Sequence, residues 1–283
     1  MADISLTAGI RSNLLALQST SDLLNQTQAR LGSGKKVNSP IDNPSAYFTA
    51  QALSNRAGDL TARLDGIAKG INTVKAANAG VSSLTDLLKQ AKGVAQDARA
   101  LSTATTSNAD RSAAAVKYNT LMTQIDQLAK DSGYDGVNLL KSDSLTVQFA
   151  EKAGSSTLVL AGFAGTSGGA VITAGTQTAA NWHGAGAAGN SAIDVEISKI
   201  EASVANLQVQ SKSLSTNLGI LTTRQTFVKT MSDTLTTGAD NLTNADLNTE
   251  AANLLALNTR QQLGVNALSL ASQASQSVLK LLG

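Results

Sequence analysis

The stretch that decides the fold is residues 193–242, IDVEISKIEASVANLQVQSKSLSTNLGILTTRQTFVKTMSDTLTTGADNL. Every seventh position in it is apolar: Ile193, Ile200, Leu207, Leu214, Leu221, Val228, Leu235 and Leu242. This spacing follows 3.5 residues per turn, which is the period of a helix packed in a coiled coil. The stretch therefore predicts one long helix with a narrow apolar seam.

An upstream stretch has the same period and is the natural partner of the first. Asn43 followed by Pro44 predicts its start, since Asn is a favourable N-cap residue and Pro suits the first helical position. We predict one helix over residues 44–102, because no proline follows Pro44 to interrupt it. The predicted coiled-coil core comprises Leu60, Ile67, Val74, Val81 and Leu88 with Ile200, Leu207, Leu214, Leu221 and Val228.

A shorter helix, a β-hairpin and a loop are predicted between the two long helices. The helix covers residues 108–130 and ends at Ser132-Gly133. Residues 145–149 alternate in polarity and residues 157–160 are apolar, which predicts two strands joined by a turn. Residues 163–190 are rich in glycine and predict a surface loop. The predicted buried face of the helix is Ala114, Tyr118, Leu121, Ile125 and Leu128.

The two ends of the chain predict helices that other copies of the chain would bury. Residues 251–283 contain two charges, Arg260 and Lys280, and no acid, so this helix has no strongly solvated face. An isolated helix gains little stability from propensity alone. The residues predicted to drive self-assembly are Ile10, Leu14, Leu17, Leu24, Leu31, Leu254, Val265, Leu268, Val278, Leu279 and Leu282.

Composition excludes several classes of function. The net charge of +2 is far from the basic excess that binding to nucleic acid requires. The chain has no cysteine and one histidine, His183, which we expect to face solvent from the loop. Because a catalytic triad or a zinc site needs more than this, we predict no metal ion, no cofactor and no catalytic residue. No apolar run reaches the roughly 18 residues of a membrane-spanning helix, and residues 1–10 do not form a secretory signal.

Two glycine patterns have structural explanations. Residues 184–189, GAGAAG, match a dinucleotide-binding pattern but do not lie in the strand and crossover helix that such a site needs, so we read them as a flexible loop. Residues 32–36, GSGKK, lack the first glycine and the hydroxyl residue of a phosphate loop. They predict instead a turn that ends a helix, with the lysines near its carboxyl end.

Several segments resemble the signatures of bacterial flagellins. They are residues 31–45 (LGSGKKVNSPIDNPS), 134–140 (YDGVNLL), 241–243 (NLT), 246–250 (DLNTE), 262–268 (QLGVNAL) and 276–282 (QSVLKLL). The resemblance covers the chain except for residues 163–190. Together with the periodicity, it predicts a mainly α fold: a long coiled-coil-like helical bundle with a small β-hairpin region and termini that pair as helices.

The resemblance implies a subunit that polymerises into the flagellar filament for swimming motility. It implies export through the flagellar type III apparatus to the cell exterior, and an export chaperone, a filament cap and junction proteins as partners. Residues 1–43 and 246–283 would form an inner tube. Residues 44–162 and 191–245 would form an outer tube, and residues 163–190 a reduced variable surface loop.

Alternative functions remain open at this stage. A hook-filament junction protein shares the terminal signatures, and an added domain would favour it. A membrane-active helical secreted protein would need a lysine-rich apolar helix, whereas residues 251–283 contain one lysine. An enzyme would need a convergent set of acid, base and nucleophile, which the sequence does not indicate.

The resemblance also bears on the vertebrate innate receptor that senses flagellins. Relatives that stimulate it carry an arginine and a glutamate where this sequence has Gln90 and Gly93. Gln90 lacks the charge and forked donors of arginine, and Gly93 has no side chain. We therefore expect weak or absent activation of that receptor.

Overall fold

The computed structural model describes residues 8–101, 105–150, 156–183 and 187–282. These residues form the predicted mainly α fold. The helices are α1 Ala8–Ser33, α2 Pro44–Ala100, α3 Asn108–Asp131, α4 Ala179–Trp182, α5 Ala187–Thr243 and α6 Leu247–Leu282, with a short 3₁₀ turn Thr105–Ser107 and strands β1 Ser144–Gln148 and β2 Thr157–Ala161.

The chain divides into two compact units. The terminal unit comprises Met1–Arg56 with Thr234–Gly283, and the central unit comprises Ala57–Asp233. Helices α2 and α5 supply residues to both units.

Local sequence signals fix the helix ends. Pro44 is the first residue of α2, and the Asn43 side chain accepts a hydrogen bond of 3.1 Å from the amide of Ala46, which is an N-cap. Helix α1 ends where Gly34 adopts a φ of 71° and its amide donates to the carbonyl of Arg30. The turn predicted at residues 32–36 is therefore confirmed. The Lys36 ammonium, however, donates to the carbonyl of Asn241 in α5 and not to α1.

The core of the central unit lies between α2 and α5. All ten residues of the predicted coiled-coil core are buried. Gly70 of α2 allows close approach, because a Cβ there would lie 2.7 Å from Cγ2 of Val147 and 3.6 Å from Cδ1 of Leu221. The same interface carries ion pairs at its surface, such as Lys92 with Glu201 at 2.8 Å.

The buried face of α3 differs from the predicted one. Tyr118 and Ile125 are buried as expected, whereas Ala114, Leu121 and Leu128 are only half-buried. Small side chains and a flexible methionine occupy the neighbouring positions, so the helix packs on a face rotated from the leucine stripe. The buried residues of α3 are Arg111, Ala115, Tyr118, Met122, Ile125 and Ala129.

The predicted hairpin is confirmed. Strands β1 and β2 pair antiparallel, with Leu145 opposite Leu160 and Val147 opposite Leu158. Val147 and Leu160 face the core, and Val159 is 57% exposed. Residues 151–155 of the predicted turn lie outside the described residues.

Residues 163–183, which we call the strap, are held to the helices although a surface loop was expected. The Asp126 carboxylate accepts hydrogen bonds from the Ser167 amide at 2.6 Å and from its hydroxyl at 3.0 Å. The Asn119 side chain donates to the carbonyl of Gln177 and accepts from its amide. Side chains of α3 thus hold this part of the strap in place.

A buried carboxylate organises the middle of the strap. The Glu196 side chain is 1% exposed, and it accepts hydrogen bonds from the Tyr118 hydroxyl, the Gly175 amide and the Gln177 side chain at 2.8–2.9 Å. The Lys199 ammonium lies 3.2 Å from it and supplies a counter-charge. Burial, together with the charge of Glu196, raises the pKa of Tyr118 far above its ordinary value, so the phenol remains a donor.

Replacing Tyr118 with Phe is expected to destabilise the central unit by about 1–3 kcal/mol, because a buried carboxylate loses a donor that nothing replaces. Chemical denaturation measures the change, and limited proteolysis within the strap shows where the structure loosens. Thr120→Ala is the matched control: Thr120 is an exposed residue of the same helix, and its hydroxyl donates to the carbonyl of Val116. Equal stability of parent and Tyr118→Phe would contradict the assigned role of Glu196.

Candidate self-assembly surface

Helices α1 and α6 pack along each other in the terminal unit. Leu24 of α1 is 5% exposed, and a Cβ at Gly264 of α6 would lie 2.7 Å from Cδ2 of Leu17. The two helices therefore approach closely at Leu17 and Gly264. We call the interface between them the terminal seam.

Six of the residues predicted for self-assembly are at least half-buried in the monomer. Leu24 is buried, and the half-buried ones are Ile10, Leu17, Leu31, Leu254 and Leu268. Leu14 and Val265 are instead 42% and 54% exposed. The side chains of Val278, Leu279 and Leu282 lie outside the described ones. Much of the predicted self-assembly set is thus already covered within the monomer.

A second set of leucines, which we call the outer leucines, was not singled out by the sequence analysis. Their members are Leu15, Leu23, Leu255, Leu263 and Leu270, with exposed fractions between 44% and 71%. At 3.6 residues per turn, Leu255 lies directly opposite Gly264 on α6, and Leu263 and Leu270 lie at least about 100° from it. These three leucines of α6 therefore point away from the terminal seam.

Two short segments join the terminal helices to the long ones, and they are bonded to each other. The first connector is residues 34–43 and the second is residues 244–246. The amides of Lys36 and Val37 donate to the carbonyl of Thr243, and the amide of Ala245 donates to the carbonyl of Gly34. Close by, Arg30 of α1 forms a 3.2 Å ion pair with Glu250 of α6.

Each connector contains an aspartate that binds neighbouring donors. The amides of Ser39 and Asn38, with the Ser39 hydroxyl, hold the pKa of Asp42 below its usual value. The hydroxyl and amide of Thr249, with the amide of Asn248, lower the pKa of Asp246 in the same way. Asp246 therefore caps the amino terminus of α6.

These two carboxylates should make the connectors sensitive to acid. Because their pKa values are lower in the folded chain, their stabilisation is present above the unfolded pKa of about 3.9 and is lost as the pH falls below it. We expect the double variant Asp42→Asn, Asp246→Asn to melt at a lower temperature than the parent at pH 6, and we expect this difference to shrink as the pH falls below about 3.9. Melting curves across this range provide the test, and a constant difference at all pH values would contradict it.

Other sequence expectations can be located on the structure. The His183 ring contacts the Ser112 hydroxyl and is half-buried, so it does not simply face solvent. Gln90 is exposed on α2, and a Cβ at Gly93 would meet no atom within 4 Å.

Within the described ranges, no group of three or more acidic or histidine side chains could hold a metal ion. None of the described helices is both long and apolar enough to cross a membrane.

Comparison with known proteins matches both ends of the chain to family models. Residues 5–144 match the bacterial flagellin N-terminal helical region, and residues 197–282 match the bacterial flagellin C-terminal helical region. These two ranges contain α1, α2, α3, most of α5 and α6.

Individual relatives match over nearly the whole chain. Flagellin FljM of Caulobacter vibrioides is 32% identical over 280 residues, which is 98% of this chain and 97% of the relative. Flagellin FljK of the same organism is 33% identical over 279 residues, with the same coverage. A flagellin of Brucella melitensis is 25% identical over 291 residues, 99% of each chain.

Proposed function

The chain belongs to the bacterial flagellin family and is a structural subunit of the flagellar filament, and from that premise we propose that it polymerises through the outer leucines of α1 and α6. The observation that carries this proposal is their exposure: Leu255, Leu263 and Leu270 are 63–71% exposed on one helix. The three leucines lie within about 80° of one another around the helix, so they form one exposed apolar stripe, and exposed apolar surface of this kind marks a site of protein contact. A second copy would remove it from water.

The residues of the terminal seam and the outer leucines have different roles. The residues of the terminal seam hold α1 against α6, and the outer leucines contact neighbouring subunits. Leu14 and Val265 were predicted from the sequence and are exposed, so we propose that they contact neighbouring subunits together with the outer leucines. This division means that α1 and α6 must pair before they present a complete surface.

We also propose the route and the partners that the family implies. The chain would leave the cell through the flagellar type III apparatus and would meet an export chaperone, a filament cap and junction proteins. Its role would be structural and not enzymatic. None of the observations favours a hook-filament junction protein or a membrane-active protein over the filament subunit.

Seeded polymerisation tests the proposal. Purified monomer is incubated with short filament fragments across a range of salt concentrations and viewed by negative-stain microscopy. Long uniform tubes that grow from the seeds are expected. Failure to extend the seeds under every condition would overturn the proposed function.

A further inference from the structure

Ile41 is the most exposed large apolar side chain that the structure describes. It is 92% exposed, against 71% for Leu255, the next highest value. It lies in the first connector, between Pro40 and Asp42. Neither the seven-residue pattern nor the terminal seam includes it.

The backbone around Ile41 is held firmly in place. The Asp42 carboxylate accepts hydrogen bonds of 2.9–3.0 Å from the amides of Asn38 and Ser39, and the Asp42 amide donates to the carbonyl of Ser39. Upstream, Val37 is 6% exposed and its amide bonds to Thr243. Ile41 therefore projects from a fixed turn, and a contact made there costs little ordering entropy.

We propose that Ile41 is a contact residue between subunits, with a second copy of this chain as its partner. This inference rests on the proposed function, and it adds a contact outside α1 and α6. The first connector is bonded to the segment from which α6 begins, and Leu247, the first residue of α6, is 50% exposed. Ile41 is thus joined through the connectors to the element that carries the outer leucines.

The chemistry around Ile41 favours protein over lipid. Its neighbours in the turn are Asn38, Ser39, Asp42 and Asn43, and the carboxylate would be repelled by an anionic membrane surface. A contact between two different patches on successive copies builds an open helical filament when its rotation does not close into a ring. A subunit of a filament is therefore the partner that this side chain fits.

The test compares Ile41→Ser and Ile41→Val with the parent chain. Burial of an isoleucine at an interface predicts that Ile41→Ser raises the critical concentration for seeded polymerisation roughly tenfold to a hundredfold. Ile41→Val, which keeps most of the apolar side chain, should stay within a few-fold of the parent. Sedimentation gives the critical concentration, and the melting temperature of the monomer should be the same for all three.

The outcomes separate this inference from the proposed function. If the parent extends seeds and Ile41→Ser does so at the same critical concentration, Ile41 does not contact a second copy and another occupant must be sought. If Ile41→Ser lowers the melting temperature of the monomer, Ile41 packs within its own chain and the inference also fails. If the parent itself does not extend seeds, it is the proposed function that fails.

Discussion

Replacing Leu221 with Asp is expected to lower the free energy of unfolding of the monomer by about 3–5 kcal/mol, the cost of an unpaired buried charge. Leu221 is fully buried on α5, and both its Cδ atoms lie less than 4 Å from the place that a Cβ on Gly70 would take. Whole domains are typically stable by only about 5–15 kcal/mol. The variant should therefore lose a large part of its stability.

Val209→Asp is the matched control for this variant. It introduces the same charge on the same helix, but Val209 is 61% exposed, so the carboxylate stays in water. Thermal unfolding followed by circular dichroism should separate the two variants by roughly 6–20 °C. Equal melting temperatures for Leu221→Asp and the parent would mean that the α2–α5 interface is not the core of the central unit.

The long helices could be predicted from the sequence because one physical rule determines them. A strict seven-residue spacing leaves a single narrow stripe to bury, and every member of the predicted coiled-coil core is buried. The start of α2 was equally well determined, since Asn43 and Pro44 each have one favoured position at a helix terminus. The hairpin followed from period-two alternation.

The strap could not be predicted, because side chains distant in the sequence hold much of it in place. A backbone bond from the Gly168 amide to the Ala174 carbonyl is internal to the strap. Asn119, Asp126, Glu196 and Ser203, by contrast, bind the strap from helices α3 and α5. Glycine-rich composition indicates only that a segment lacks a local preference for structure. Contacts over such sequence separations are set by the folded bundle.

The outer leucines were missed for a different reason. Spacing alone does not separate the two faces of α6: Leu263 and Leu270 are seven residues apart, as members of a buried heptad would be, and Leu255 lies eight residues before Leu263. The scarcity of charge in residues 251–283 was the one signal of a second apolar face. It predicted burial by other copies, but it did not say which leucines are exposed.

Removing residues 251–283 is expected to abolish polymerisation while the central unit stays folded. The deletion takes away most of α6, and with it the partner of α1 and the outer leucines Leu255, Leu263 and Leu270. The central unit keeps its core, because Ala57–Asp233 forms a compact unit of its own. Sedimentation after seeding measures polymerisation, and circular dichroism reports the remaining helices. Normal filaments from the truncated chain would contradict the proposed surface.

The double variant Leu255→Asp, Leu263→Asp separates loss of the surface from loss of the helix. Burying two leucines contributes at least about 3 kcal/mol, so their replacement should raise the critical concentration more than a hundredfold. The terminal seam should survive, because Leu24, Leu254 and Leu268 are unchanged. Asn258→Asp is the control, since it adds a carboxylate to an exposed position of α6 without removing an apolar side chain. Polymerisation of the double variant at the parent's critical concentration would show that neighbouring subunits do not contact the outer leucines.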